Sequence, residues 1–123
     1  MSGIRSYRDL EVWQSSMQLA KEMSSITRGF PKEELYGLTS QIRRASVSIP
    51  ANIAEGYGRD NPGDYARFLQ IAPGSHKELE TLLLLSCEVG IATQTQIDPP
   101  MIMADRIGRM LRSLIRSIQS RKS

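Results

Sequence analysis

The chain has 123 residues and a mass of 13.8 kDa, which suits one domain. Apolar residues make up 40% and charged residues 24%, the balance of a globular chain rather than a disordered one. The longest aliphatic run, Leu82–Leu85, is too short to cross a membrane, and the polar start Met1–Leu10 lacks a secretory core. A single cysteine, Cys87, excludes a disulfide framework and a cysteine metal cluster, and a single histidine, His76, excludes paired Glu-x-x-His motifs. No cofactor and no metal are expected.

The net charge of +3 hides segregation. Residues 1–60 carry +1, residues 61–105 carry −4 and residues 106–123 carry +6. Twelve of the sixteen cations are arginine, which pairs in bidentate fashion with carboxylate or phosphate.

Four segments read as helices, and none alternates like a strand. The first spans about 9–28, with Leu10, Trp13, Met17 and Ala20 beside a second stripe of Val12, Leu19, Met23 and Ile26. Asp9 is its expected N-cap, and Gly29 its expected left-handed stop. The second spans about 34–57, with Leu38, Ile42, Ala45, Ile49 and Ile53 on one face. Pro50 inside it removes a backbone hydrogen bond and predicts a kink near Ser46 and Val47. Gly56 and Gly58 are the expected stop. The third spans about 62–89, read as one long helix kinked at Pro73-Gly74, with two shorter helices as the rival reading. The fourth spans about 99–120, with Asp98 as N-cap and Pro99-Pro100 in the first turn. Four amphipathic helices joined by short connections predict an all-α, antiparallel up-down-up-down four-helix bundle in a single domain, residues 1–123.

Leu82, Leu83, Leu84 and Leu85 step by about 100° each and point nearly all round their helix. A bundle helix buries one face only, so at least one of these leucines must meet water or another chain. Val47, Ala51 and Ala54 lie off the main apolar face of the second helix and offer a second contact surface. The chain is therefore expected to associate with itself.

The stretch Tyr36–Arg59, containing Gln41-Ile-Arg-Arg-Ala-Ser-Val-Ser-Ile-Pro-Ala-Asn-Ile-Ala-Glu-Gly56, resembles the signature of a bacterial four-helix-bundle family. That family includes proteins encoded in intervening sequences of large-subunit ribosomal RNA genes, and the accessory variability protein of diversity-generating retroelements is similar to them. Tyr7–Trp13, Tyr65–Leu69, Gly74-Ser75 and Glu78–Thr81 fit the same pattern. One departure is Pro73, where the family carries an ordinary helix former. The resemblance implies a ring-like homopentamer, a bacterial cytoplasmic setting and no catalysis. The retroelement relatives imply nucleic acid, RNA or DNA, and a reverse transcriptase as partners.

Other motifs give less. Gln41, Ser48, Asn52 and Glu55 flank the apolar face of the second helix, either as a ligand pocket or as a hydrogen-bonded network beside Pro50. Glu80 and Thr81 are candidate partners across the bundle, and Asn52 is a candidate donor to the carbonyl that Pro50 frees. Gly56–Arg59 lacks the full phosphate-loop pattern and reads as a helix stop. Cys87 reads as a small buried apolar residue, and Trp13 as core.

The fourth helix is the most informative basic element. With Arg106 at 0° on a helical wheel, Arg109, Arg112 and Arg116 fall at roughly 300°, 240° and 280°. Ile107, Met110, Leu111, Leu114 and Ile118 fall between about 40° and 140°. The arginines thus form a stripe opposite the core, suited to neutralising phosphates. Arg43, Arg44, Arg59 and Arg67 extend that surface, although Arg43 and Arg44 also suit carboxylates between subunits. Few aromatics accompany these cations, so backbone contact with little sequence preference is expected. The reading is a non-enzymatic, nucleic-acid-associated adaptor. The alternative is a protein–protein scaffold in which the arginines serve solubility and subunit salt bridges.

Overall fold

A computed structural model gives the structure of residues 3–121, which is all-α with no strand among the described residues. Five α-helices follow in order: α1 (Glu11–Thr27), α2 (Leu38–Tyr57), α3 (Pro62–Leu69), α4 (Ile71–Glu88) and α5 (Gln94–Gln119). Single 3-10 turns at Tyr7–Asp9 and Lys32–Glu34 precede α1 and α2. α1 packs on α2, α2 on α4, α4 on α5 and α5 on α1, closing a circuit of four rods. α3 and α4 both lie against α2 and α5 and together supply one arm. The enclosed core includes Leu19, Met23, Ile42, Ile49, Ile53, Leu69, Leu79, Leu83, Ile97, Ile107 and Leu111, each essentially inaccessible to water.

Several ends differ from the sequence expectations, each for a local reason. Asp9 does not cap α1. Its carboxylate accepts from the Arg5 and Ser6 amides at 2.8 and 3.1 Å, closing a capping box around the 3-10 turn, and α1 starts behind Leu10 without a side-chain cap. Gly29 is not left-handed; only Gly3 and Gly90 have positive φ among the described residues. The end of α1 is instead closed by the backbone, the Gly29 and Phe30 amides donating to the Ile26 and Thr27 carbonyls at 3.1 and 3.0 Å, while the Thr27 hydroxyl back-bonds to the Met23 carbonyl at 2.7 Å. Gly90, at φ +81°, ends α4, and the Ile91 amide folds back on the Ser86 carbonyl at 2.9 Å.

The third predicted helix is two helices that meet at Gln70, with φ −73° and ψ −9°. Pro73 lacks the N–H that would reach the Leu69 carbonyl, so the junction falls one turn before it rather than at Pro73-Gly74. α5 begins at Gln94, earlier than expected, because Thr93 and Gln96 form a capping box. Asp98 is not a cap; it accepts from the Gln94 side chain at 2.6 Å. Pro99 and Pro100 then stand inside the helix. The carbonyls they leave unbonded belong to Thr95 and Gln96, which are exposed and open to water.

Two glycines set helix spacing. A Cβ on Gly56 would come 3.0 Å from the Tyr65 carbonyl oxygen and 3.2 Å from Phe68 Cβ, so Gly56 lets α3 lie close on α2. It is not the stop; Gly58 closes α2. A Cβ on Gly108 would stand 2.8 Å from His76 Cε1. His76 is buried between α4 and α5, and its Nε2–H donates to the Ala104 carbonyl at 2.5 Å. The ring therefore occupies the place where an alanine methyl at 108 would go.

Gly108→Ala is expected to cost about 1–3 kcal/mol by overpacking against the ring, read as a lower midpoint in denaturant. With His76→Ala already in place the clash is gone, and the same change should stabilise by up to about 1 kcal/mol through helix propensity. Equal effects in both backgrounds would separate Gly108 from His76. Burial raises the Tyr65 phenol above its ordinary value, the neighbouring Tyr57 adds to this, and Arg121 opposes it. Because the folded form holds its proton longer than the unfolded chain, the contribution is complete below about pH 10 and lost as pH rises through the folded value. Tyr65→Phe should therefore flatten the alkaline decline of stability in a titration followed by circular dichroism.

Candidate nucleic-acid interface

α5 owes its position to a division of faces. Ile97, Pro100, Ala104, Ile107, Gly108, Leu111 and Ile118 are buried, and the opposite side is polar apart from Ile102, which is 65% exposed and falls between Arg106 and Arg109 on the wheel. Arg106, Arg109, Arg112 and Arg116 are all exposed, as the helical wheel requires. Arg109 pairs with Asp105 at 3.2 Å, with the two side chains 63% and 67% exposed. A solvated pair of this kind holds its partners weakly, by about 1 kcal/mol or less. Arg106, Arg112 and Arg116 make no ion pair or hydrogen bond among the described residues. The same wheel puts Asp98 and Asp105 on this face, an aspect the charge totals conceal. The arginines of α5 thus lie from Arg106 onward, with the two aspartates before them.

The other four arginines have partners within the chain. Arg43 is half-buried and its Nε donates to the Thr27 hydroxyl at 2.9 Å, tying α2 to the end of α1. Arg44 reaches Glu78 of α4 at 3.3 Å. Arg67 meets Asp64 at 2.8 Å. Arg59 bonds Glu55 at 2.6 Å and lies 4.0 Å above the Phe68 ring. That stacking crosses the turn between α2 and α3, and no spacing in the sequence announced it. Of the eight arginines singled out, three are free, and all three are on α5.

Arg106 also borders a cavity of about 160 Å³ between α1 and α5, lined by Ser15, Gln18, Met103 and Ile107. The polar set of α2 bonds within the fold. Asn52 donates to the Ser48 carbonyl and hydroxyl at 2.8 and 3.0 Å, and the Ser48 and Ser75 hydroxyls meet at 2.7 Å across α2 and α4. Asn52 is therefore not on the carbonyl that Pro50 frees, which belongs to Ser46. Glu80 and Thr81 turn to Lys77 instead of α2, at 3.1 and 2.9 Å. Cys87 is half-buried, with its thiol 3.6 Å from the Gln94 side-chain oxygen. Among the described residues no cluster of His, Cys, Asp or Glu could hold a metal ion, and no helix is long and apolar enough to cross a membrane.

The leucine run divides. Leu82 and Leu83 point into the chain's own core, which removes them from any contact with a second copy. Leu84 and Leu85 face outward, 50% and 45% exposed. Val47 is 56% exposed, Ala51 is exposed and Ala54 is half-buried. Val47 and Pro50 border a groove of about 540 Å³ between α1 and α2, with Met17, Ala20 and Lys21 on its other wall. Met17, on the apolar stripe with Leu10, Trp13 and Ala20, is 46% exposed and forms a wall of this groove.

A family model described as 23S rRNA-intervening sequence protein matches residues 8–113. Among solved structures, a protein of unknown function from the S23 ribosomal protein family of Bacteroides thetaiotaomicron is similar, with a TM-score of 0.76 and 24% identity. The match covers 85% of this chain and 97% of that one, and it supports the fold. No curated protein matches the chain. With nearly the whole bundle inside the matched region, this chain belongs to the 23S rRNA-intervening sequence protein family.

Proposed function

We propose that this chain is a non-enzymatic, cytoplasmic adaptor that associates with nucleic acid through phosphate contacts. In this reading the bundle is up-down-up-down in topology and closes into a homopentameric ring. The observation that carries the proposal is the row of free guanidinium groups on α5, at Arg106, Arg112 and Arg116, with Arg109 only loosely held. Protonated arginines on a helix face neutralise phosphates and release counterions, which needs no pocket and reads little sequence. The family's link to 23S rRNA intervening sequences favours RNA as the first partner to test. A ring would repeat the stripe once per copy, so weak contacts on one helix would add across the assembly.

The Arg43, Arg44, Arg59 and Arg67 groups play a smaller part in this reading, because their partners lie within the fold. The wall of Ser15 and Gln18 beside Arg106 widens the polar edge of the stripe toward α1.

Affinity for an RNA duplex, measured by fluorescence anisotropy, should fall steeply with salt. Three contacts from one copy imply a loss of roughly 40-fold between about 50 and 200 mM. Binding that is absent at low salt or insensitive to it would leave the scaffold reading in place. Changing Arg106, Arg109, Arg112 and Arg116 together to Gln should abolish binding with helicity and assembly unchanged. The same change at Arg43, Arg44, Arg59 and Arg67 should weaken it far less. The opposite ranking would move the interface off α5.

A further inference from the structure

Among the apolar residues left outside the core, two groups lie on neighbouring helix faces and differ in shape and charge. On α4, Leu84 and Leu85 form an outward ridge, 50% and 45% exposed. Glu88 stands one turn beyond Leu84, exposed, with no ion-pair partner among the described residues. Between α1 and α2, Met17, Val47 and Pro50 border an open groove of about 540 Å³. Lys21 is on its rim, exposed and likewise without an ion-pair partner among the described residues.

We infer that the α4 ridge of one copy seats in the α1/α2 groove of the next, with Glu88 of the first copy meeting Lys21 of the second. The inference rests on the ring reading above and specifies its contact. A ridge and a groove are complementary, and each copy carries both. Such a pairing is head-to-tail: every contact leaves one free ridge and one free groove, so copies add until the rotation closes. The isologous alternatives are disfavoured by charge. Ridge on ridge and groove on groove each leave Glu88 or Lys21 without an opposite charge, and two concave walls cannot fill one another, so neither uses the complementarity that the head-to-tail pairing does. The arginines of α5 line neither surface, although Gln18 joins the groove to the cavity that Arg106 borders.

The test uses Val47→Glu, which spoils the groove, and Leu84→Glu, which spoils the ridge. Both positions face water, so the bundle should keep its helicity by circular dichroism. In size-exclusion chromatography with light scattering at micromolar concentration, each variant alone should run as a single chain. Mixed in equal amounts they should form a two-chain species and nothing larger, because only one intact ridge and one intact groove remain. Two further variants act through charge alone. Lys21→Glu and Glu88→Lys should each shift the assembly toward single chains at least tenfold in concentration, and both in one chain should restore it. If the wild type assembles and both single variants keep its full size, the ridge–groove contact is wrong while the ring survives. A mixture that stays as single chains also overturns the contact. A wild type that is itself a single chain overturns the ring reading and the contact with it.

Discussion

A helix in a bundle has one side to give to the core, and α4 carries more apolar surface than that side accommodates. Its buried face includes Ala72, His76, Leu79, Leu82, Leu83 and Ser86, which is already a full stripe. Leu84 and Leu85 remain on the outside because consecutive helical residues turn by about 100°. No rotation of α4 hides all four leucines, since bringing Leu84 inward would take Leu82 out. α5 presents the opposite case. Apart from the exposed Ile102, its large apolar residues turn to the core and its arginines to the other side, so one surface serves folding and the other is available. The division of labour proposed here, assembly through α4 and the α1/α2 groove, phosphate contact through α5, follows from that difference.

The close packing depends on two positions with no side chain. Gly56 admits the Tyr65 backbone and Phe68 against α2, and Gly108 admits the His76 ring against α5. The lone histidine is explained by this fit. It fills space between α4 and α5 and bonds the Ala104 carbonyl, a structural role that needs no catalysis. Glu80 Oε2, 3.8 Å from His76 Nε2, borders the same contact but is also drawn outward to Lys77.

The helical periodicity of the sequence located the four arms and the opposite faces of α5, because burial and exposure there follow the 3.6-residue repeat without interference. The ends were harder to read. Asp9, Asp98 and Gly29 each have the chemistry of a cap, but Asp9 serves the preceding 3-10 turn with Ser6, Thr93 caps α5 in place of Asp98, and Gly29 closes α1 through its amide without a left-handed φ, by geometry that a residue type alone does not reveal. Pro99 and Pro100 suit a first turn by type; they sit deeper because the Thr93–Gln96 capping box starts α5 at Gln94, and the helix tolerates them since the carbonyls they leave unbonded belong to the exposed Thr95 and Gln96. The arginine stripe was legible, whereas the pairing of Arg43, Arg44, Arg59 and Arg67 was not. Arg43 and Arg44 find partners 16 and 34 residues away, a relation that exists only once the helices are side by side. Met17 shows the same limit, since its place on an apolar stripe did not distinguish core from groove.

The account as a whole requires that the apolar surface left on one bundle be covered by other copies. Dilution of the wild-type chain, followed by sedimentation equilibrium or native mass spectrometry, addresses this without any substitution. The account predicts a discrete species of about five chains, each of 13.8 kDa, that persists at micromolar concentration. A folded, soluble species of one chain throughout that range would contradict it.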